Sequence, residues 1–215
     1  MSVKVTGVVD AVAAELQRMI FRGELAMGEP MTEARVAERF EVARPSAKAA
    51  IEKLVAEGLL ERTAHRSARV RQLDEDSVRD IYRTRVRLEG QALRELAARG
   101  TVPLQARAAD LEIARFRGGS SLDVVEPDMR FHTAIVDALD SERMSRAYRS
   151  LVSEVHLCMA QVQGQRLVSV DGIHSDHEAI LDHLAMFDAA GALAVLERHL
   201  GGAEDRLVEV LNRTR

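Results

Sequence analysis

The chain of 215 residues holds one cysteine, Cys158, and no tryptophan. One cysteine excludes an internal disulfide, in keeping with a reducing compartment, and Cys158 reads as a small core residue. Without an indole, ligand binding cannot be followed by tryptophan fluorescence. No apolar run approaches the roughly 20 residues of a membrane-spanning helix. Met1 to Val12 lacks the basic-then-apolar order of a secretory leader, so a cytoplasmic protein with no membrane partner is expected. Low-complexity tracts and a repeat period are absent, as is a glycine-rich loop that could cradle phosphate. A strong charge excess is missing too. The formal net charge is −4, which excludes a broadly basic surface.

What charge there is lies unevenly. Met1 to Gln72 carries 12 Lys+Arg against 10 Asp+Glu, and the rest of the chain 18 against 24. Within Arg44 to Arg71 the balance is 7 to 3. One short basic stretch in an acidic protein fits an end that meets phosphate, although a solvated charged face would look similar. The pattern around it is more specific. Val9, Val12, Leu16, Met19 and Ile20 fall at helical spacing over Val8 to Phe21, and Gly23 ends that run. Gly28-Glu29-Pro30 reads as a turn. Thr32 is an N-cap for a short helix over Glu33 to Phe40, with Arg35 where a capping box would need Glu. A longer helix follows from Arg44, with Pro45 in its first turn, a stripe of Ala47, Ala50, Ile51, Leu54 and Val55, and Gly58 as its stop. Leu59–Thr63 and Ala68–Gln72 read as two short strands. Helix, helix, turn, helix and two-stranded wing is the order of a winged helix-turn-helix, whose second paired helix enters the major groove. Arg44, Ser46 and Lys48 on that helix, Arg35 ahead of it, and His65, Arg66 and Arg69 at the wing are the candidate DNA contacts. Arg suits bidentate contact with guanine, and Lys suits guanine or phosphate. Taken singly, each could equally be an ordinary surface residue.

From Asp74 the pattern is helical only, with six segments near 74–99, 103–117, 122–139, 141–163, 173–186 and 188–212. The expected fold is mainly α: a winged helix-turn-helix over residues 1–72 and an all-α bundle of about six helices over 73–215. Polar residues interrupt the apolar stripes of the bundle. Asp128 and His132 sit one turn apart between Val125, Met129 and Val136. His177 lies on the stripe of Ile173, Ile180, Leu181 and Leu184, and His199 lies beside Leu196 and Leu200. Buried carboxylates and imidazoles need partners. One Asp and three His from three helices could satisfy one another around a divalent metal ion: zinc first, with nickel, manganese or iron(II) as alternatives. An Asp–His ion pair in a polar core is the other reading. His174 and His183 fall on helix flanks. His156 flanks its own stripe as a candidate pocket residue.

These residues resemble the GntR family of bacterial regulators, in particular the FadR subfamily with an FCD-type effector domain. The resemblance runs through Met27 to Glu33, the recognition-helix segment Val42 to Ile51, Glu57-Gly58-Leu59-Leu60 and the wing His65 to Val70. It continues in Tyr82 to Glu89, Asp128 to His132, Asp176 to Ile180 and Arg198-His199-Leu200. It implies a homodimer on a near-palindromic double-stranded operator and a small carboxylate-type effector. It implies Asp128, His132, His177 and His199 as metal ligands, and Arg85 as a residue facing the pocket, where it meets the effector or braces Glu89. Six effector helices are closer to the VanR-type branch than to the seven-helix FadR type. The chain departs from the family pattern at Ala43 (usually Ser), Lys48 (Arg), Ala49 (Glu) and Ser67 (Gly); Lys48 in particular loses the bidentate fork.

Three functions fit these residues. The first is a ligand-responsive repressor and not an enzyme. The second is a metal-dependent hydrolase or oxygenase, for which a placed base and nucleophile are missing. The third is a protein–protein adaptor with a vestigial site.

Overall fold

The computed structural model describes residues 7–62, 66–116, 124–162 and 170–213. The chain divides into two units. One comprises Met1–Leu73 with Ser153–Gln163, and the other Asp74–Val152 with Gly164–Arg215.

The first unit holds helices α1 (Val8–Phe21), α2 (Glu33–Arg39) and α3 (Arg44–Ala56), with strands β1 (Pro30–Met31), β2 (Leu60–Glu61) and β3 (Ala68–Val70). α1 buries Val12, Ala13, Leu16, Met19 and Ile20, and α3 buries Ala47, Ala50, Ile51 and Leu54. The two stripes face each other because 3.6-residue spacing puts each set on one side of its helix. Thr32 caps α2 by accepting from the Arg35 backbone N–H at 3.2 Å. α3 has no side-chain cap, since Ala43 stands at its N-cap. Glu41 turns the chain between α2 and α3 at φ 52°.

The sheet is antiparallel in the order β1-β3-β2, with Pro30 opposite Arg69 and Leu60 opposite Val70. The wing therefore has three strands, one more than its spacing suggests. β1 occupies the end of the segment that reads as a turn. The last turns of a later helix, α7 (Glu142–Gln161), complete this unit. Gln161 donates to the Leu73 carbonyl at 2.7 Å and accepts from the Leu73 N–H at 2.9 Å. Arg71 donates to Glu154 at 2.6 Å.

The second unit is formed by α4 (Glu75–Ala98), α5 (Leu104–Ala114), α6 (Val125–Asp137), the first part of α7, α8 (Val170–Ala185) and α9 (Ala189–Arg213). Six helices are thus present among the described residues. Asp74 starts α4 by accepting from the Ser77 N–H at 2.9 Å, and Glu75 and Asp76 suit the positive end of the helix dipole. α4 packs on α9, α5 on α6, and α8 on both α5 and α9. Among the described residues no helix is long and apolar enough to cross a membrane.

Two glycines should respond with opposite sign. Gly58 has φ +76°, and a Cβ there would stand 3.1 Å from the Glu154 side chain. Gly58→Ala should lower stability by about 1–2 kcal/mol. Gly201 lies inside α9 with nothing within 4 Å of a Cβ, so Gly201→Ala should raise stability by about 0.5–1 kcal/mol. Urea midpoints of the two variants beside the parent check both.

Candidate functional site

Asp128, His132, His177 and His199 come together in the bundle. α6 supplies Asp128 and His132 one turn apart, α8 supplies His177, and α9 supplies His199. His132 and His177 are buried, and Asp128 and His199 nearly so. Their geometry converges on one carboxylate oxygen. Asp128 Oδ1 lies 3.7 Å from His132 Nε2, 3.3 Å from His177 Nε2 and 3.8 Å from His199 Nε2. The Nε2 atoms of His132 and His199 are 3.3 Å apart, and all four donor atoms fall within 4.8 Å of one another. Ligands about 2.1 Å from a tetrahedral ion stand about 3.4 Å apart; two of these separations, at 3.3 Å, have that length and the other two, at 3.7 and 3.8 Å, are slightly longer. Asp128 Oδ1 and both ring nitrogens of His177 are buried without a hydrogen-bond partner among the described residues. Such atoms are costly in a core, and a divalent ion at the centre would satisfy the two that face it. The donor set therefore fits a divalent metal, with three nitrogens and one oxygen suiting a borderline ion.

The surroundings prepare these groups electrically. Burial raises the Asp128 carboxyl, but the His177 ring 3.3 Å away and the charges of the three imidazoles outweigh it, holding it well below the usual carboxylate range. Burial drives His132 down to about 4, reinforced by Arg85 and opposed by Glu89. It is therefore neutral near pH 7, as a ligand imidazole must be. Burial also pulls on His177, but contacts with Asp110 and Asp128 reverse the balance and raise it. Phe131 lies flat against the His177 ring, 3.6 Å between centroids and 4° from parallel.

Arg85 is buried, and its Nε donates to Glu89 Oε1 at 3.0 Å. Of the two roles open to it, the brace on Glu89 is thus seen directly. Its Nη2 has no hydrogen-bond partner among the described residues. His156 is not brought to this cluster. It stacks on Phe21 of α1 at 5.0 Å, in the part of α7 that belongs to the winged-helix unit. His174 and His183, expected on flanks, pair with Asp110 and Asp188. Asp110 is a residue that the sequence reading missed, although it shares the buried face of Ala106, Ala109 and Ile113.

In the winged-helix unit Arg44 and Lys48 are exposed on α3 and Ser46 is half-buried. Arg44 has no charged partner among the described residues, and Lys48 has only Glu52 at 3.8 Å. Arg66 and Arg69 are exposed, and Arg69 donates to the Gly28 carbonyl at 3.1 Å. Arg35 is engaged by Glu29 at 2.6 Å. His65 lies outside the described residues.

A winged helix-turn-helix followed by a helical bundle with an Asp/His cluster defines a class of DNA-binding regulator, and comparison with known proteins agrees. Residues 8–70 match the bacterial regulatory proteins of the gntR family, and residues 80–202 match the FCD domain. The chain belongs to the GntR family of transcriptional regulators, in its FCD-bearing, FadR-like subfamily. It is similar to the "Probable D-xylose utilization operon transcriptional repressor" of Paenarthrobacter nicotinovorans, 27% identical over 84% of this chain and 80% of that protein. Among solved structures it is similar in fold to a GntR transcriptional regulator from Rhodococcus sp. RHA1. The TM-score is 0.72, with 20% identity over 94% of this chain and 97% of that one. It is also similar in fold to a structure described as a metal-free FCD domain, with TM-score 0.56 and 18% identity over 66% of this chain and 99% of that one. The matched domains and relatives are transcriptional regulators, not enzymes.

The metal-free protein should show its two buried histidines titrating apart. His132 should stay neutral until about pH 4. His177 should hold its proton above the ordinary imidazole value of about 6.5. Ring-carbon NMR shifts followed from pH 4 to 8 check the order. A reversed order would mean that burial does not dominate at His132, or that Asp110 and Asp128 do not hold the charge of His177.

Proposed function

We propose that this regulator senses a small carboxylate through a divalent metal ion held by Asp128, His132, His177 and His199. The observation that carries the reading is the convergence of three Nε2 atoms on the unpartnered Asp128 Oδ1. Zinc suits three imidazoles and a carboxylate at these separations, with nickel, manganese and iron(II) as alternatives. The bound ion would supply a Lewis-acidic position for an effector oxygen. Arg85, a buried guanidinium whose Nη2 lacks a hydrogen-bond partner among the described residues, is the protein group suited to the far end of a carboxylate.

The DNA-binding function is assigned to residues 1–72 and the effector function to 73–215. Arg44, Ser46 and Lys48 meet the major groove, and Arg66 and Arg69 with His65 meet the backbone near the wing. Arg35, already paired with Glu29, serves register. A homodimer would place two recognition helices on a near-palindromic operator with half-sites about 34 Å apart. Effector binding would act as a repressor's release by biasing the bundle between two states that differ in DNA affinity. The name of the Paenarthrobacter relative, an operon repressor, supports that sign.

Two measurements test the reading. Elemental analysis should find near-stoichiometric metal in the purified protein and almost none in the Asp128→Ala/His177→Ala variant prepared alongside. Equal content in the two would sink the metal centre. Gel shifts on the protein's own promoter region should show clear preference over random DNA at matched salt. Arg44→Ala/Lys48→Ala should abolish that preference and flatten the salt dependence by about 0.9 log units per lost phosphate contact. Unchanged binding would remove α3 from the interface.

A further inference from the structure

Behind the three imidazoles stand three carboxylates, each from a different helix. Glu89 Oε2 of α4 lies 2.6 Å from His132 Nδ1, Asp110 Oδ1 of α5 lies 3.4 Å from His177 Nδ1, and Asp176 Oδ2 of α8 lies 3.3 Å from His199 Nδ1. Every carboxylate has a basic group on its other side. Arg85 Nε is 3.0 Å from Glu89, His174 Nδ1 is 3.0 Å from Asp110, and Arg198 Nη2 is 2.6 Å from Asp176. Tyr148 adds its hydroxyl to Glu89 at 2.6 Å. Thus the same order, base to carboxylate to imidazole, occurs three times: hydrogen bonds join the carboxylate and ring at His132 and His199, whereas Asp110 stands at ion-pair distance from His177 Nδ1 without a hydrogen bond.

We propose that Glu89, Asp110 and Asp176 are positioning residues of the metal centre, each holding one imidazole with its N–H outward at Nδ1 and its Nε2 lone pair inward. The proposal rests on the metal reading above. An ionised carboxylate only accepts, and a neutral imidazole has one donor and one acceptor nitrogen. A carboxylate at Nδ1 therefore selects one tautomer and one ring orientation. Once His177 is deprotonated, three such selections aim three lone pairs at one point before any ion arrives, so binding requires little rearrangement. Packing of Phe131 on His177 fixes the plane of the ring whose carboxylate is farthest away.

The test uses the full chain with zinc alone as probe, and the single variants Glu89→Gln, Asp110→Asn and Asp176→Asn. Zinc affinity is read by competition with a chromophoric chelator, and tautomers by long-range proton–nitrogen spectra of the metal-free, histidine-labelled protein. Each variant should bind zinc about 10–100-fold more weakly, and the ring facing the changed residue should lose its single Nδ1–H form. The other two rings should keep theirs, which a merely structural role would not produce. Affinities unchanged in all three variants would overturn the proposal, as would wild-type rings carrying the proton at Nε2. If Glu89→Gln fails to fold because Arg85 loses its partner, the two aspartate variants and the wild-type spectrum decide. Asp128→Ala/His177→Ala separates the two levels. Should that variant bind zinc like the wild type, or the wild type bind none, the metal reading falls and this proposal with it. Loss of zinc there beside unaltered binding in the carboxylate variants overturns the positioning role alone.

Discussion

A carboxylate withdrawn from water among three imidazoles is the constraint around which the bundle is arranged. Removing Asp128 from solvent is costly unless charge or hydrogen bonds compensate, and no single helix can compensate it. His132 comes with Asp128 on α6, but His177 and His199 require α8 and α9 to approach the same face. The imidazoles then need acceptors, which brings in Glu89 of α4, Asp110 of α5 and Asp176 of α8. Glu89 in turn needs Arg85 and Tyr148, both buried. Helices α4 to α9 are thus tied to one point by polar contacts that an apolar core would not demand. An incompletely satisfied network of this kind is costly, and among the described residues Asp128 Oδ1, both ring nitrogens of His177 and Arg85 Nη2 remain without a hydrogen-bond partner.

The winged-helix unit follows a different logic. Its core is ordinary hydrophobic packing of α1 against α3, and its polar groups are outside. Affinity for a duplex comes largely from phosphate neutralisation, which needs available cations more than fine geometry. Arg35, Arg44, Arg66 and Arg69 are all exposed, and Arg35 and Arg69 are also held by Glu29 and the Gly28 carbonyl. The held pair suits the fixing of register that phosphate contacts provide.

Helix positions were legible because glycines and apolar periodicity mark them; the observed ends differ from those expected by only a few residues. β1 was not legible. Two residues cannot show alternation, and Pro30 and Met31 find their partners Arg69 and Ala68 almost forty positions later. The four central polar residues stood out because each interrupts an apolar stripe. Asp110 interrupts one too, but its neighbours on that face are two alanines and an isoleucine, a weak stripe against which a carboxylate is inconspicuous. The roles of Glu89 and Asp176 depend on distances between helices, which spacing within a helix does not encode. The same limit explains His156. Its place on α7 could be read, but not that this stretch of α7 packs with residues from the start of the chain.

That stretch makes the DNA-binding unit discontinuous. Leu73 uses Gln161 for both of its backbone groups, Arg71 uses Glu154, and Phe21 lies against His156. An isolated fragment ending after the wing would expose these groups together. Reading such a fragment's stability or affinity as a property of the parent would therefore mislead. The unit is not a prefix of the polypeptide, and during synthesis its last residues emerge only after α4, α5 and α6.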